Sequence, residues 1–215
     1  MSLRCLSITD DLQVGAFGFL AGATIERDGL PNAGLYDQRA VLQWIQEYIA
    51  LVGGDKTEVS AWGQSAGAGS IMHHLTAFGG KQNPLFRRTF IQSPVLQFKF
   101  DRKGDLEATF QEFSSLAGCS GEGIACLRAT SPESLDKANV ALDKSGYTVG
   151  PSADGSWIRQ LAAVELAQGG PLLPLPSSKT TKRSLILAQA NTILTSLPFF
   201  PALVTKRNPS FLPTS

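Results

Sequence analysis

An α/β fold with a largely parallel sheet is what this sequence predicts, and three observations predict it. Short apolar runs alternate with segments of helical periodicity. One of those runs passes through a tight Gly-x-Ser-x-Gly turn directly into a helix. At 215 residues and 43% apolar content, the chain can also bury one substantial core.

The elements follow in chain order. Residues 14–20, Val-Gly-Ala-Phe-Gly-Phe-Leu, read as a short buried strand whose two glycines let another backbone approach. From Gly34 onward Leu35, Val41, Leu42, Ile45, Tyr48, Ile49 and Val52 recur at steps of three and four. That spacing predicts an amphipathic helix of about five turns, with Asn32 placed to cap its start and Gly53-Gly54 to end it. Residues 58–62 form a brief strand, and small and apolar residues through Phe78 form a helix that Gly79-Gly80 stops. Residues 86–91 read as another strand, and 105–116 and 122–128 as short helices. Ser131-Pro132-Glu133 starts a further helix with proline at its first position. A last helical stretch covers 159–168 and ends at Gly169-Gly170.

Gly63-Gln64-Ser65-Ala66-Gly67 is the feature that carries chemistry. In a G-x-S-x-G elbow a strand turns abruptly into a helix and leaves the serine hydroxyl exposed above the sheet edge. Glycines are expected at 63 and 67 because a side chain there would collide with neighbouring backbone, and Ser65 is expected in a strained conformation. The following helix directs its positive end at the site, and the Ala66 N–H is placed to donate to a developing oxyanion. In a chain with 21 glycines the bare pattern has little specificity, so the strand before it and the small-residue helix after it carry the argument.

Around this elbow the sequence closely resembles the type-B carboxylesterase family, which includes cholinesterases and fungal lipases. The resemblance runs through Asn32-Ala-Gly-Leu-Tyr-Asp37-Gln-Arg39, Leu42-Gln-Trp44, Glu47-Tyr-Ile49, Gly53-Gly54-Asp55, Val59 and Trp62-Gly-Gln-Ser65-Ala-Gly67. Later landmarks follow in the family's order: Phe86-Arg-Arg88, Gln92-Ser93, Gly118-Cys119, Cys126-Leu-Arg128, Gly150-Pro151 and Asp154-Gly155. It covers about residues 14–170, with a fainter echo at 184–191. It implies a partial α/β-hydrolase fold with a central, mostly parallel sheet and a nucleophile elbow, incomplete at both ends.

The resemblance also implies a mechanism. Ser65 attacks an ester carbonyl, a histidine far downstream takes its proton, and a glutamate between them orients the histidine. The family's oxyanion loop would lie upstream of residue 14, and residues 1–13 do not supply it. The acid would follow a strand near 184–187, where Leu194 occupies its position. The chain's two histidines, His73 and His74, follow Ser65 by eight and nine residues, which places them about 12 Å or more along the helix axis. They read as structural. Two outcomes follow: a carboxylic ester hydrolase working through an acyl-enzyme without a cofactor, or an inactive truncated product or non-enzymatic binding relative. Uncovered sheet edges make a poorly soluble chain the expectation for the second.

Composition divides the chain in three: an atypical segment 1–13, the body 14–170, and a tail 171–215. Residues 1–170 hold 14 Lys or Arg against 18 Asp or Glu. The tail carries five basic residues, seven of the 12 prolines, twelve Ser or Thr, and no acid. Such a tail reads as a linker, a disordered segment or a stretch translated out of its ancestral frame. Its charge is too dilute for nucleic acid or a membrane surface. Residues 1–14 do not read as a secretory leader, although the parent family is often secreted, and no stretch has the length of a membrane span.

The resemblance pairs Cys119 with Cys126 as a disulfide, the alternative being two buried thiols, and leaves Cys5 over. Asp37, Asp55 and Asp154 read as structural caps, turns or ion-pair partners. Phe17, Phe19, Trp44, Trp62 and Phe90 fit core positions. No phosphate loop, dinucleotide fingerprint or zinc-ligand spacing occurs. The expected partner is a small carboxylic ester, with no metal and no cofactor.

Overall fold

A computed structural model describes residues 6–8, 14–96, 99–101, 104–168 and the backbone of 187–188. Among the described residues three parallel strands lie in the order β1 (Ser60–Gln64), β2 (Arg88–Gln92), β3 (Leu187–Ala188). Register runs from Ser60 opposite Arg88 to Gln64 opposite Gln92, so β1 and β2 end level with each other. Both strands begin and end one or two residues later than their apolar runs suggest. The family echo at 184–191 contains β3, whereas Leu194, Cys5 and nearly all of the segment 171–215 lie outside the described residues.

The helices are α1 (Gly15–Phe19), α2 (Ala23–Asp28), α3 (Ala33–Tyr48), α4 (Ala66–Gly80), α5 (Asp105–Leu116), α6 (Gly123–Ala129), α7 (Pro132–Lys144) and α8 (Ala162–Ala167). Leu42 of α3 and Ala68 and Ile71 of α4 cover one face of the sheet, where they meet Ala61, Phe86 and Ile91. A second cluster joins Leu35, Ala77, Trp157 and Ile158. The third lies among helices: Phe110 and Phe113 of α5 pack with residues of α1, α2, α6 and α7 and with Leu20 and Cys119 beside them.

Within residues 14–20, Gly15–Phe19 form a helix, not the expected strand. Ala16 and Leu20, one helical step of four apart, are both buried in the helical core, and Leu20 N–H donates to Ala16 C=O. A seven-residue apolar run carries too little periodicity to separate the two structures, and here tertiary docking decides. Gly15, at φ 61°, brings the chain against Asn139 of α7, whose Oδ1 accepts from Ala16 N–H at 2.8 Å.

The helix over 33–52 is present, with its last turn tightened into a 3-10 segment over Ile49–Val52 and Gly53 left-handed at its end. Asn32 does not cap it. Its backbone is left-handed at φ 60°, and its buried side chain turns away to bond Ser152 and Asp154. The caps at Asp55 and Ser131 are made, by acceptance from Thr57 N–H and Ser134 N–H. The final helix is shorter than 159–168. Arg159 lies outside it and pairs with the buried Glu165, Nη2 to Oε2 at 2.8 Å.

The aromatic expectations need correcting. Phe19 packs beside Trp157, but Phe17, Trp44, Trp62 and Phe90 are exposed, Trp62 by 76%. Strand side chains alternate between faces, and Trp62 and Phe90 stand opposite each other on the face away from α4, with ring centroids 5.3 Å apart. Apolar character alone does not reveal which sheet face is covered.

Candidate active site

Ser65 stands where β1 turns into α4, at the carboxyl end of the parallel strands, where open α/β sheets bind their ligands. Its backbone is at φ 54°, ψ −120°, a region non-glycine residues rarely occupy, and its side chain is exposed. Two main-chain hydrogen bonds hold it there. Ser65 N–H donates to Gln92 C=O at 3.0 Å, which extends the β1–β2 ladder past Gln64, and Val95 N–H donates to Ser65 C=O at 3.0 Å. Ala66 opens α4, so its N–H is one of the donors that a helix leaves without an internal acceptor. Gln64 ends β1 on the exposed side of the sheet.

The two motif glycines differ. A Cβ at Gly63 would stand 2.6 Å from the carbonyl carbon and oxygen of Gly67, so the turn closes only with glycine there. A Cβ at Gly67 would meet nothing within 4 Å among the described residues, so the collision expected at 67 does not occur there. The crowded position is instead Gly69, outside the motif, where a Cβ would lie 2.2 Å from Val95 O. Gly69 is hard to find by sequence, because a glycine inside a helix shows only a propensity cost. The Ser93-Pro94 step is a turn signal directly after a strand, and Ser93 is indeed left-handed at φ 45°.

His73 and His74 are both buried, 3% exposed. His74 Nε2 is 3.0 Å from Gln38 Oε1, its Nδ1 has no partner among the described residues, and its ring meets Trp157 edge to face with centroids 5.4 Å apart. Burial pushes both imidazoles down to about 4, and for His74 the nearby Arg39 and His73 add to it. Neutral, enclosed and far along α4, they are core groups in this structure. Asp154 closes its own turn by accepting from Ser156 and Ile158 N–H, and Arg39 reaches Asn83 C=O and lies over the Trp157 ring. Cys119 and Cys126 are disulfide-bonded, joining the loop after α5 to α6. Among the described residues no group of three or more His, Cys, Asp or Glu could hold a metal ion, and no helix is long and apolar enough to cross a membrane.

An elbow of this geometry invites comparison with known esterases. A sequence model of the Carboxylesterase family matches residues 7–192. A secreted lipase of Arthroderma benhamiae is 49% identical over 166 residues, covering 77% of this chain and 32% of the relative. Lipase 1 of Geotrichum candidum is 35% identical over 188 residues, covering 79% and 33%. Among solved structures, Aspergillus niger EstA superposes with a TM-score of 0.67 at 30% identity, over 74% of this chain and 33% of that one. The chain thus spans about a third of the length of the curated relatives it matches. With α/β-hydrolase esterases as its structural neighbours and a family match across most of its length, the chain belongs to the carboxylesterase family.

Proposed function

We propose that this protein takes part in carboxylic ester hydrolysis with Ser65 as the nucleophile. One observation carries the reading: Ser65 is held at positive φ on the strand-to-helix turn, with its side chain exposed at the carboxyl end of the sheet. Strain of this kind persists only where surrounding structure enforces it, and here it presents a hydroxyl to a site for a reacting carbonyl. Attack by Ser65 Oγ breaks the ester C–O bond, releases the alcohol and leaves an acyl-enzyme, which water then hydrolyses to the acid. The Ala66 N–H, at the start of α4, donates to the carbonyl oxygen as it becomes an oxyanion. The chemistry calls for no cofactor.

His73 and His74 serve the core, so neither is the base that takes the Ser65 proton. The substrates are small carboxylic esters, and the relatives named lipases support an apolar acyl part. The Cys119–Cys126 disulfide and the relative named a secreted lipase support an oxidising, extracytoplasmic setting.

The test is reaction of the purified chain with an organophosphonate serine probe and a short-chain p-nitrophenyl ester, beside Ser65→Ala. Labelling and turnover that vanish in Ser65→Ala are expected. Equal behaviour of the two proteins would leave an elbow without chemistry and sink the reading.

A further inference from the structure

We propose that Gly69, outside the Gly63-to-Gly67 motif, is a positioning residue for Ser65 that acts through the peptide of Val95. The inference rests on Ser65 being the reacting hydroxyl. Val95 spans the first turn of α4: its N–H donates to Ser65 C=O at 3.0 Å, and its own carbonyl oxygen would lie 2.2 Å from a Cβ at position 69. The carbonyl carbon would be 3.2 Å away. These are backbone atoms, so no rotamer change can relieve the crowding. Only a bare Cα at 69 lets the Val95 peptide seat on the helix.

That seating bears on Ser65 because the same turn holds both of its peptide groups. The Ser65 N–H is taken by Gln92, where the turn begins, and the Ser65 C=O by Val95, after the left-handed Ser93 and Pro94. Ser65 C=O also accepts from Gly69 N–H at 3.0 Å within α4, so Ser65, Gly69 and Val95 form one bonded unit. Glycine inside a helix costs about 1 kcal/mol relative to alanine, and the close approach of Val95 explains why alanine does not replace it here. A methyl group at 69 pushes Val95 off the helix, frees the Ser65 carbonyl from its second donor and lets φ relax from 54°. The hydroxyl then moves, and a misplacement near 1 Å costs roughly a hundredfold in rate.

The experiment measures the limiting rate of Ser65 phosphonylation and the half-saturating probe concentration for the full chain, Gly69→Ala and Ser70→Ala. A limiting rate lower by about tenfold or more in Gly69→Ala, with half-saturation within about threefold and Ser70→Ala like the parent, is the expected result. A role in stability alone would leave the limiting rate unchanged well below the melting temperature. Gly69→Ala reacting at the parental rate overturns the inference while the hydrolase reading stands. No labelling of the parent chain sinks the hydrolase reading and takes this inference with it. If Gly69→Ala does not fold, Val95→Pro removes the donor without adding a methyl at 69, and a parental rate in it overturns the inference. Hydrogen exchange on the parent needs no variant. The Val95 amide should exchange about a hundredfold or more slower than an exposed amide, and full exposure would overturn the inference.

Discussion

The side chain of Asn32 and the peptide of Ser152, 120 residues apart, exchange two hydrogen bonds: Asn32 Nδ2 donates to Ser152 C=O at 3.0 Å, and Ser152 N–H donates to Asn32 Oδ1 at 2.9 Å. Both residues are buried, so both peptide groups of Ser152 depend on this one side chain. The same Nδ2 reaches Asp154 Oδ2, which ties the turn before Trp157 to the start of α3. Replacing Asn32 with leucine strands a buried donor and acceptor, and each unsatisfied group costs about 1–3 kcal/mol. Asn32→Leu is therefore expected to lose roughly 2–4 kcal/mol in urea unfolding. A loss below about 1 kcal/mol would show that the clasp is dispensable.

Stability should fall in mild acid because of His73 and His74. Their folded pKa values, pushed down to about 4 by burial, lie below the ordinary 6.5, so the unfolded chain binds their protons first as pH drops. The contribution is complete above pH 6.5, shrinks from there to about 4, and is gone below. At its full extent it is on the order of 3 kcal/mol for each histidine. Protonating His74 would also add an N–H at Nδ1, a buried atom with no partner among the described residues, and a charge near Arg39. Melting curves between pH 7 and 4 should flatten when both histidines are replaced by glutamine. An unchanged pH slope in that variant would place the acid sensitivity elsewhere.

Much of this architecture is legible in the sequence, and physics accounts for the rest. The Asp105–Leu116 helix lies where residues 105–116 predict it, because its apolar residues repeat at helical spacing over three turns. The elbow is legible because Gly63 and Ser65 answer to local geometry. What escapes is set by distant contacts. Gly15–Phe19 become helical by docking on α7, and Asn32 is drawn from the helix cap to Ser152. Trp62 is apolar yet faces solvent because nothing among the described residues covers that side of β1. Gly69 gains its meaning from Val95, 26 residues downstream, a contact that no local pattern announces.

The Cys119–Cys126 link should contribute moderately to stability. Its sequence separation of 7 closes a short loop, for which chain entropy gives about 2 kcal/mol. Cys119 is also buried against Phe110 and Leu127, with its Sγ 3.3 Å from Thr130 Oγ1, so it packs as well as links. Reduction should lower the melting temperature while far-ultraviolet dichroism at 20–25 °C is retained. Cys119→Ala should cost more than Cys126→Ala, because Cys119 is fully buried in the helical core and leaves the larger cavity, whereas Cys126 is only partly buried against it. The opposite order in urea titrations would contradict this account.

Trp62 offers the clearest separation of solubility from stability. It is 76% exposed and touches Phe90 across the β1–β2 pair, on the sheet face opposite α4. An exposed aromatic pair on a short sheet favours self-association, while its removal uncovers little of the folded core. Trp62→Gln should therefore reduce light scattering in concentrated samples and change unfolding free energy by no more than about 1 kcal/mol, most of it from the lost cross-strand pair. Phe90→Thr should act in the same direction, since threonine keeps the strand preference of β2. The double variant tests the mechanism: if both side chains belong to one patch, its gain in solubility should fall short of the sum of the two single gains. Fully additive gains, or a large loss of stability in Trp62→Gln, would show that the two rings do not act as one exposed surface.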